Sequence, residues 1–188
     1  DPGYMKFIEW QFLKLKQRGL LIQKPYFGTA CVNCGPVAVD ASETDIRQGG
    51  AAEKQEYTLL KFRFGNEYLI AATLRPETVY GQTNFWANPD VAYVRAEVDG
   101  ERWIMSRECA DKLTFQKDAV RVVGEIQARE LLGKTCKAPM IGRDIPILPS
   151  RFCDPNVGSG LVTSVPSDAP FDWIALEELK RDEDAYKK

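Results

Sequence analysis

Two tight-turn signals lie between matched β-type runs. Gly65-Asn66 separates Tyr57–Phe64 from Glu67–Thr73, and Asp99-Gly100 separates Ala92–Val98 from Glu101–Ser106. Such dipeptides supply the positive φ that a two-residue hairpin needs, so each pair of runs is expected to fold back as antiparallel neighbours. Further β-type runs occur at Val120–Ile126, Asp144–Leu148 and Gly160–Val165. Many short strands split by turns predict a barrel or a sandwich. Short helices are predicted over Ser106–Leu113 and Ala128–Leu132. Ser167–Lys188 reads as a closing helix, capped by Ser167 or Asp168 with Pro170 near its first turn; its tail from Glu177 alternates in charge sign.

The N-terminal part has a different character. Residues 4–22 carry Phe7, Ile8, Phe12, Leu13 and Leu15 at helical spacing, with Gly19 as a stop. Tyr26–Val39 is expected to form a small ribbon holding Cys31-Val32-Asn33-Cys34. Ala41–Glu56 is polar and rich in glycine and alanine, the pattern of a surface loop. Lys14, Lys16, Arg18 and Lys24 form a basic cluster read as a solvated helix face.

Composition excludes several chemistries. The 188 residues suit one domain, or one with an appendage. The chain has no histidine, which removes Ser-His-Asp and Cys-His catalysis and the commonest zinc ligand. A net charge of -2 argues against a surface gripping many phosphates. Five cysteines, odd in number and mostly scattered, point to a reducing compartment and hence the cytoplasm. No stretch approaches the roughly 20 apolar residues of a membrane span, and no signal peptide is visible. Cys31 and Cys34 are half of a zinc knuckle, and a structural site needs four ligands. With the other half missing, no zinc and no other cofactor is expected here.

Two stretches carry polar side chains where a strand ends. In Thr73-Leu74-Arg75-Pro76-Glu77-Thr78, followed by Gly81-Gln82-Thr83-Asn84, hydroxyls replace a plain turn. In Gly158-Ser159-Gly160-Leu161-Val162-Thr163-Ser164-Val165-Pro166, a strand enters a polar turn before Asp168 and Asp172, four residues apart on one helix face. Either stretch alone also fits a strand end and a charged first helical turn.

Together the two stretches resemble the threonine-rich region and the second motif of class I aminoacyl-tRNA synthetase editing domains. The best match is the inserted editing domain (connective peptide 1) of leucyl-tRNA synthetase, in its archaeal or eukaryotic cytosolic form. The resemblance spans nearly the whole chain. It implies an α+β fold centred on a β-barrel with peripheral helices. It divides the chain into a linking helix from the catalytic domain (1–27), a CxxC ribbon with a surface loop (28–56) and the editing barrel (57–188). The HIGH and KMSKS signatures are absent, so an excised fragment is expected, with ATP and Mg²⁺ used by the catalytic domain alone.

The implied function is post-transfer editing: hydrolysis of the ester on mischarged tRNA-Leu carrying norvaline, isoleucine or methionine. A pocket separates substrates differing by a methylene by only about 1–3 kcal/mol, so a second sieve is needed. Its partners would be the 3′ end of tRNA-Leu and the rest of the synthetase. By the resemblance, Asp172 pairs with the substrate α-ammonium, Thr78 keeps leucine out, and the Thr73 hydroxyl meets water or the ester. Arg75 organises the loop and Val165 lines the amino-acid pocket. The Leu161, Val162 and Thr163 backbone, with the Thr163 side chain, holds the adenosine, and Asp168 is a further candidate. Leu74 replaces a threonine of bacterial members, and Ser167 a histidine of many members. The two stretches are also compatible with an isoleucyl- or valyl-type editing domain, or with a non-catalytic module holding a CCA end or nucleoside.

Overall fold

A computed structural model describes residues 1–23, 28, 30–31, 35–36 and 56–181. The chain forms two compact units, Asp1–Glu53 and Lys54–Lys188.

In the first unit, α1 spans Pro2–Gln17. It starts two residues before the predicted helix because the Asp1 carboxylate accepts the Gly3 N–H at 2.7 Å and Pro2 suits the first turn. It ends early because Gly19 takes φ +67°. Beyond it, β1 (Ala30–Cys31) pairs antiparallel with β2 (Gly35–Pro36), which is the core of the expected ribbon. Cys34 and the predicted loop through residue 55 lie outside the described residues.

The second unit is built on one mixed sheet. Its strands are β3 (Thr58–Phe64), β4 (Glu67–Thr73), β5 (Asn84–Ala87), β6 (Ala92–Val98), β7 (Glu101–Met105), β8 (Val120–Gln127), β9 (Thr135–Lys137), β10 (Asp144–Pro149) and β11 (Leu161–Ser164). Helix α2 (Arg107–Leu113) follows β7, and α3 (Pro170–Arg181) follows β11. The spatial order is β11-β5-β10-β9-β3-β4-β7-β6-β8. Both hairpins form as the sequence predicts. In β3/β4, Gly65 alone takes positive φ, whereas in β6/β7 both Asp99 (+51°) and Gly100 (+83°) do.

The central strands are buried on both faces. Leu69 and Ala71 of β4 join Phe62, Phe85, Tyr93, Ile104 and Leu161 in one core. Ile70, between them in sequence, packs with Trp103, Met105, Cys109 and Leu113 beneath α2. Strand β5 splits likewise: Phe85 and Ala87 face the first core, while Trp86 packs with Leu148, Cys153 and Ala175 beneath α3.

The α+β expectation matches this architecture, but the barrel is open. The end strands β11 and β8 share no ladder. The sheet still curls, because β11 lies against β4, five places away in the strand order. Contact there is close: a Cβ on Gly158 would sit 2.9 Å from the Ala72 Cβ. The seam between β4 and β11 is therefore packed without a hydrogen-bonded ladder. The closing helix also differs from its prediction. It begins at Pro170, so neither Ser167 nor Asp168 is its cap, and residues 182–188 lie outside the described chain.

Candidate functional site

At the end of β4 the chain enters a 3₁₀ turn, Pro76–Gly81. Proline after Arg75 stops the strand, and Arg75 sits at φ −128°, ψ 78°. Two threonines pin this corner. The Thr73 hydroxyl oxygen accepts the Arg75 N–H at 3.1 Å, and the Thr78 hydroxyl donates to the Arg75 carbonyl at 2.8 Å. The Thr78 proton is thus committed, whereas Thr73 meets Arg75 only as an acceptor, which leaves its proton available. The Arg75 side chain is exposed at the rim.

Across the seam, β11 runs antiparallel to β5, with Val162 opposite Trp86 and Thr163 opposite Phe85. The chain then turns through Val165 and Pro166 into α3. Asp172, in the first turn of α3, is 4% exposed. Its Oδ1 accepts the Trp86 indole N–H at 3.1 Å and its Oδ2 accepts the Val165 N–H at 2.7 Å. Burial pushes the Asp172 carboxyl above its ordinary value, while the Val165 and Trp86 N–H groups pull it back. The two donors hold each oxygen in place and leave further lone pairs for a cationic partner.

These two corners enclose a cleft of about 520 Å³. Thr73, Arg75, Thr78, Val162, Thr163, Val165, Asp168 and Asp172 all line it. Eight of the nine residues singled out in the sequence are therefore brought together, and Asp168 is among them. Leu161 is the exception. It is 2% exposed in the first core, and its carbonyl accepts the Ser159 hydroxyl at 3.0 Å. The Thr163 hydroxyl is buried with no hydrogen-bond partner among the described residues.

Sequence reasoning missed Trp86, Phe152 and Phe171. Trp86 anchors Asp172 and meets the Phe152 ring edge-on at 5.8 Å. Phe152 and Phe171 line the cleft and are exposed. Nothing local marks Trp86 or Phe152, since their contacts join residues distant in sequence. The Cys153 thiol, which feels the Asp172 charge, is no nucleophile: burial, aided by that charge, pushes it up to about 12. Among the described residues, no group of three or more His, Cys, Asp or Glu side chains could hold a metal ion. No described helix is long and apolar enough to cross a membrane.

No family model matches the chain. Curated relatives do. The chain is 43% identical over 189 residues to the leucine–tRNA ligase of Methanothermobacter thermautotrophicus, covering 100% of this chain and 20% of that protein. It is 46% identical over 185 residues to the leucine–tRNA ligase of Ignicoccus hospitalis, covering 97% of this chain and 18% of that protein. Its fold is similar to the crystal structure of GlLeuRS-CP1 (31% identity, TM-score 0.62, 68% of this chain and 61% of that one). The chain belongs to the leucyl-tRNA synthetases, as their editing domain.

A second solved editing domain, from the cytosolic leucyl-tRNA synthetase of P. knowlesi, shares the fold at TM-score 0.64 and 22% identity, covering 74% of this chain and 66% of that one. The chain spans about a fifth of the length of the curated relatives. In this editing domain, the cleft lies at the seam where the curled sheet stays open.

Proposed function

We propose that this domain hydrolyses the ester joining a noncognate amino acid to the 3′ adenosine of tRNA-Leu, acting within a cytoplasmic leucyl-tRNA synthetase. The observation that carries the reading is the Asp172 carboxylate, fixed at the cleft by two N–H donors, in a cleft also lined by Thr73 and Thr78. An aminoacyl ester presents a free α-ammonium, and a fixed, largely dry carboxylate selects it strongly. Ionised Asp172 takes the ammonium, and Thr73 offers its free proton to the ester or to water. Thr78, tied to the Arg75 carbonyl, stands as a fixed wall against the γ-branch of leucine. Val165 bounds the same space. The unpartnered Thr163 hydroxyl meets the ribose or base.

Neither a histidine, nor a thiolate, nor the Asp172 carboxylate serves as general base for the water. There is no histidine, the buried thiols stay protonated, and Asp172 is engaged by the ammonium. Rate then rests on placing water against a held ester, aided by the neighbouring ribose hydroxyl. Positioning of this kind is worth up to roughly 7–11 kcal/mol. With a net charge of -2, the domain leaves most of the tRNA grip to the rest of the synthetase.

The test is deacylation of norvalyl-tRNA-Leu beside leucyl-tRNA-Leu, in the synthetase carrying this segment. The expected result is rapid loss of the norvalyl ester with the leucyl ester spared. Stabilisation by an adenosine analogue with neither ester cleaved would identify a binding module instead.

A further inference from the structure

Gly81 is the last residue of the 3₁₀ turn that carries Thr78. A Cβ built on it would lie 3.0 Å from Val165 Cγ1 and 3.5 Å from Ser167 Oγ. The first distance is tighter than nearly all real Cβ contacts. Gly81 does not take positive φ, so its backbone accepts any residue. What excludes a side chain is Val165 alone. Val165 is 5% exposed, lines the cleft opposite the Thr78 corner, and its N–H holds Asp172.

We propose that the Gly81–Val165 contact sets the width of the amino-acid pocket, making Gly81 a specificity-positioning residue that touches no substrate. This rests on the editing reading above. The bare Cα of Gly81 lets the turn bearing Thr78 sit a few tenths of an ångström closer to the loop bearing Val165 than a Cβ would allow. A side chain at 81 drives these walls apart. The space gained admits the γ-branch that Thr78 excludes, and the shift of Val165 disturbs the donor fixing Asp172. Packed interiors respond to a single methyl in this way.

The experiment measures the norvalyl/leucyl deacylation ratio in the synthetase for Gly81→Ala, Val165→Ala and the double variant, with thermal unfolding of each as a fold check. The ratio should fall by about tenfold in Gly81→Ala, the scale of one methylene of discrimination. In the Val165→Ala background Cγ1 is gone, so adding Gly81→Ala should change the ratio no further. Such non-additivity marks direct contact. If Gly81→Ala alone unfolds the domain, recovery of folding in the double variant supports the same contact. An unchanged ratio in Gly81→Ala, an equal fall in both backgrounds, or unfolding of both Gly81→Ala and the double variant would overturn the proposal. The parent enzyme separates the two ideas: if it cleaves norvalyl-tRNA selectively while Gly81→Ala behaves like the parent, editing stands and the width control falls.

Discussion

Two influences on Asp172 pull its ionisation in opposite directions. Burial favours the protonated acid, whereas the Val165 and Trp86 donors favour the carboxylate. The net shift is upward, so on the proposed reading the free enzyme gains the charge that would take the ammonium only as pH rises through a value above the ordinary aspartate figure of about 3.9. The acid limb of kcat/KM for norvalyl-tRNA should therefore lie above that figure, since this profile reports the free enzyme. An acid limb at or below the ordinary value would separate Asp172 from substrate capture. The carboxylate was legible in the sequence because it stands in a motif at a helix start. Its indole anchor was not: Trp86 is 86 residues away, and only the fold brings the pair within 3.1 Å.

Among the elements, β3, β4, β6, β7, β8, β10 and β11 were readable as β-type runs, and β5 and β9 were not. The β3/β4 and β6/β7 hairpins lie close to their predicted bounds. Strand β5 escaped because all four of its residues are buried, so it shows no alternation of polar and apolar positions. Strand β9 is only three residues long. What holds these elements at the site is also specific. The buried Tyr93 hydroxyl of β6 accepts the Asn88 N–H at 2.9 Å and donates to the Gly160 carbonyl at 3.1 Å, tying the end of β5 to the start of β11. Tyr93→Phe leaves both groups unpaired and should cost about 1–3 kcal/mol, read from the urea midpoint. An unchanged midpoint would show that β11 is held by other contacts.

At the scale of the whole molecule, the open seam between β4 and β11 is the feature the proposed function needs. A closed barrel of this kind would fill its interior with side chains, but here two strand ends meet without a ladder and leave a cleft lined by both. The sequence could not show this, because it depends on which strands stay unpaired after the others have formed. Loss-of-function variants probe the seam poorly. Asp172→Ala, for instance, also strands two buried N–H donors, so lost activity would not separate chemistry from packing. Cleavage of the leucyl ester with norvalyl cleavage retained is not what loss of folding would give. The most direct measurement is therefore deacylation of correctly charged leucyl-tRNA-Leu by the Thr78→Ala synthetase, with norvalyl-tRNA-Leu as the companion substrate. The leucyl ester, spared by the parent, should now be cleaved while norvalyl cleavage persists. If leucyl-tRNA-Leu stays intact while norvalyl cleavage continues, Thr78 is not the wall that excludes leucine, and this cleft is not where the editing choice is made.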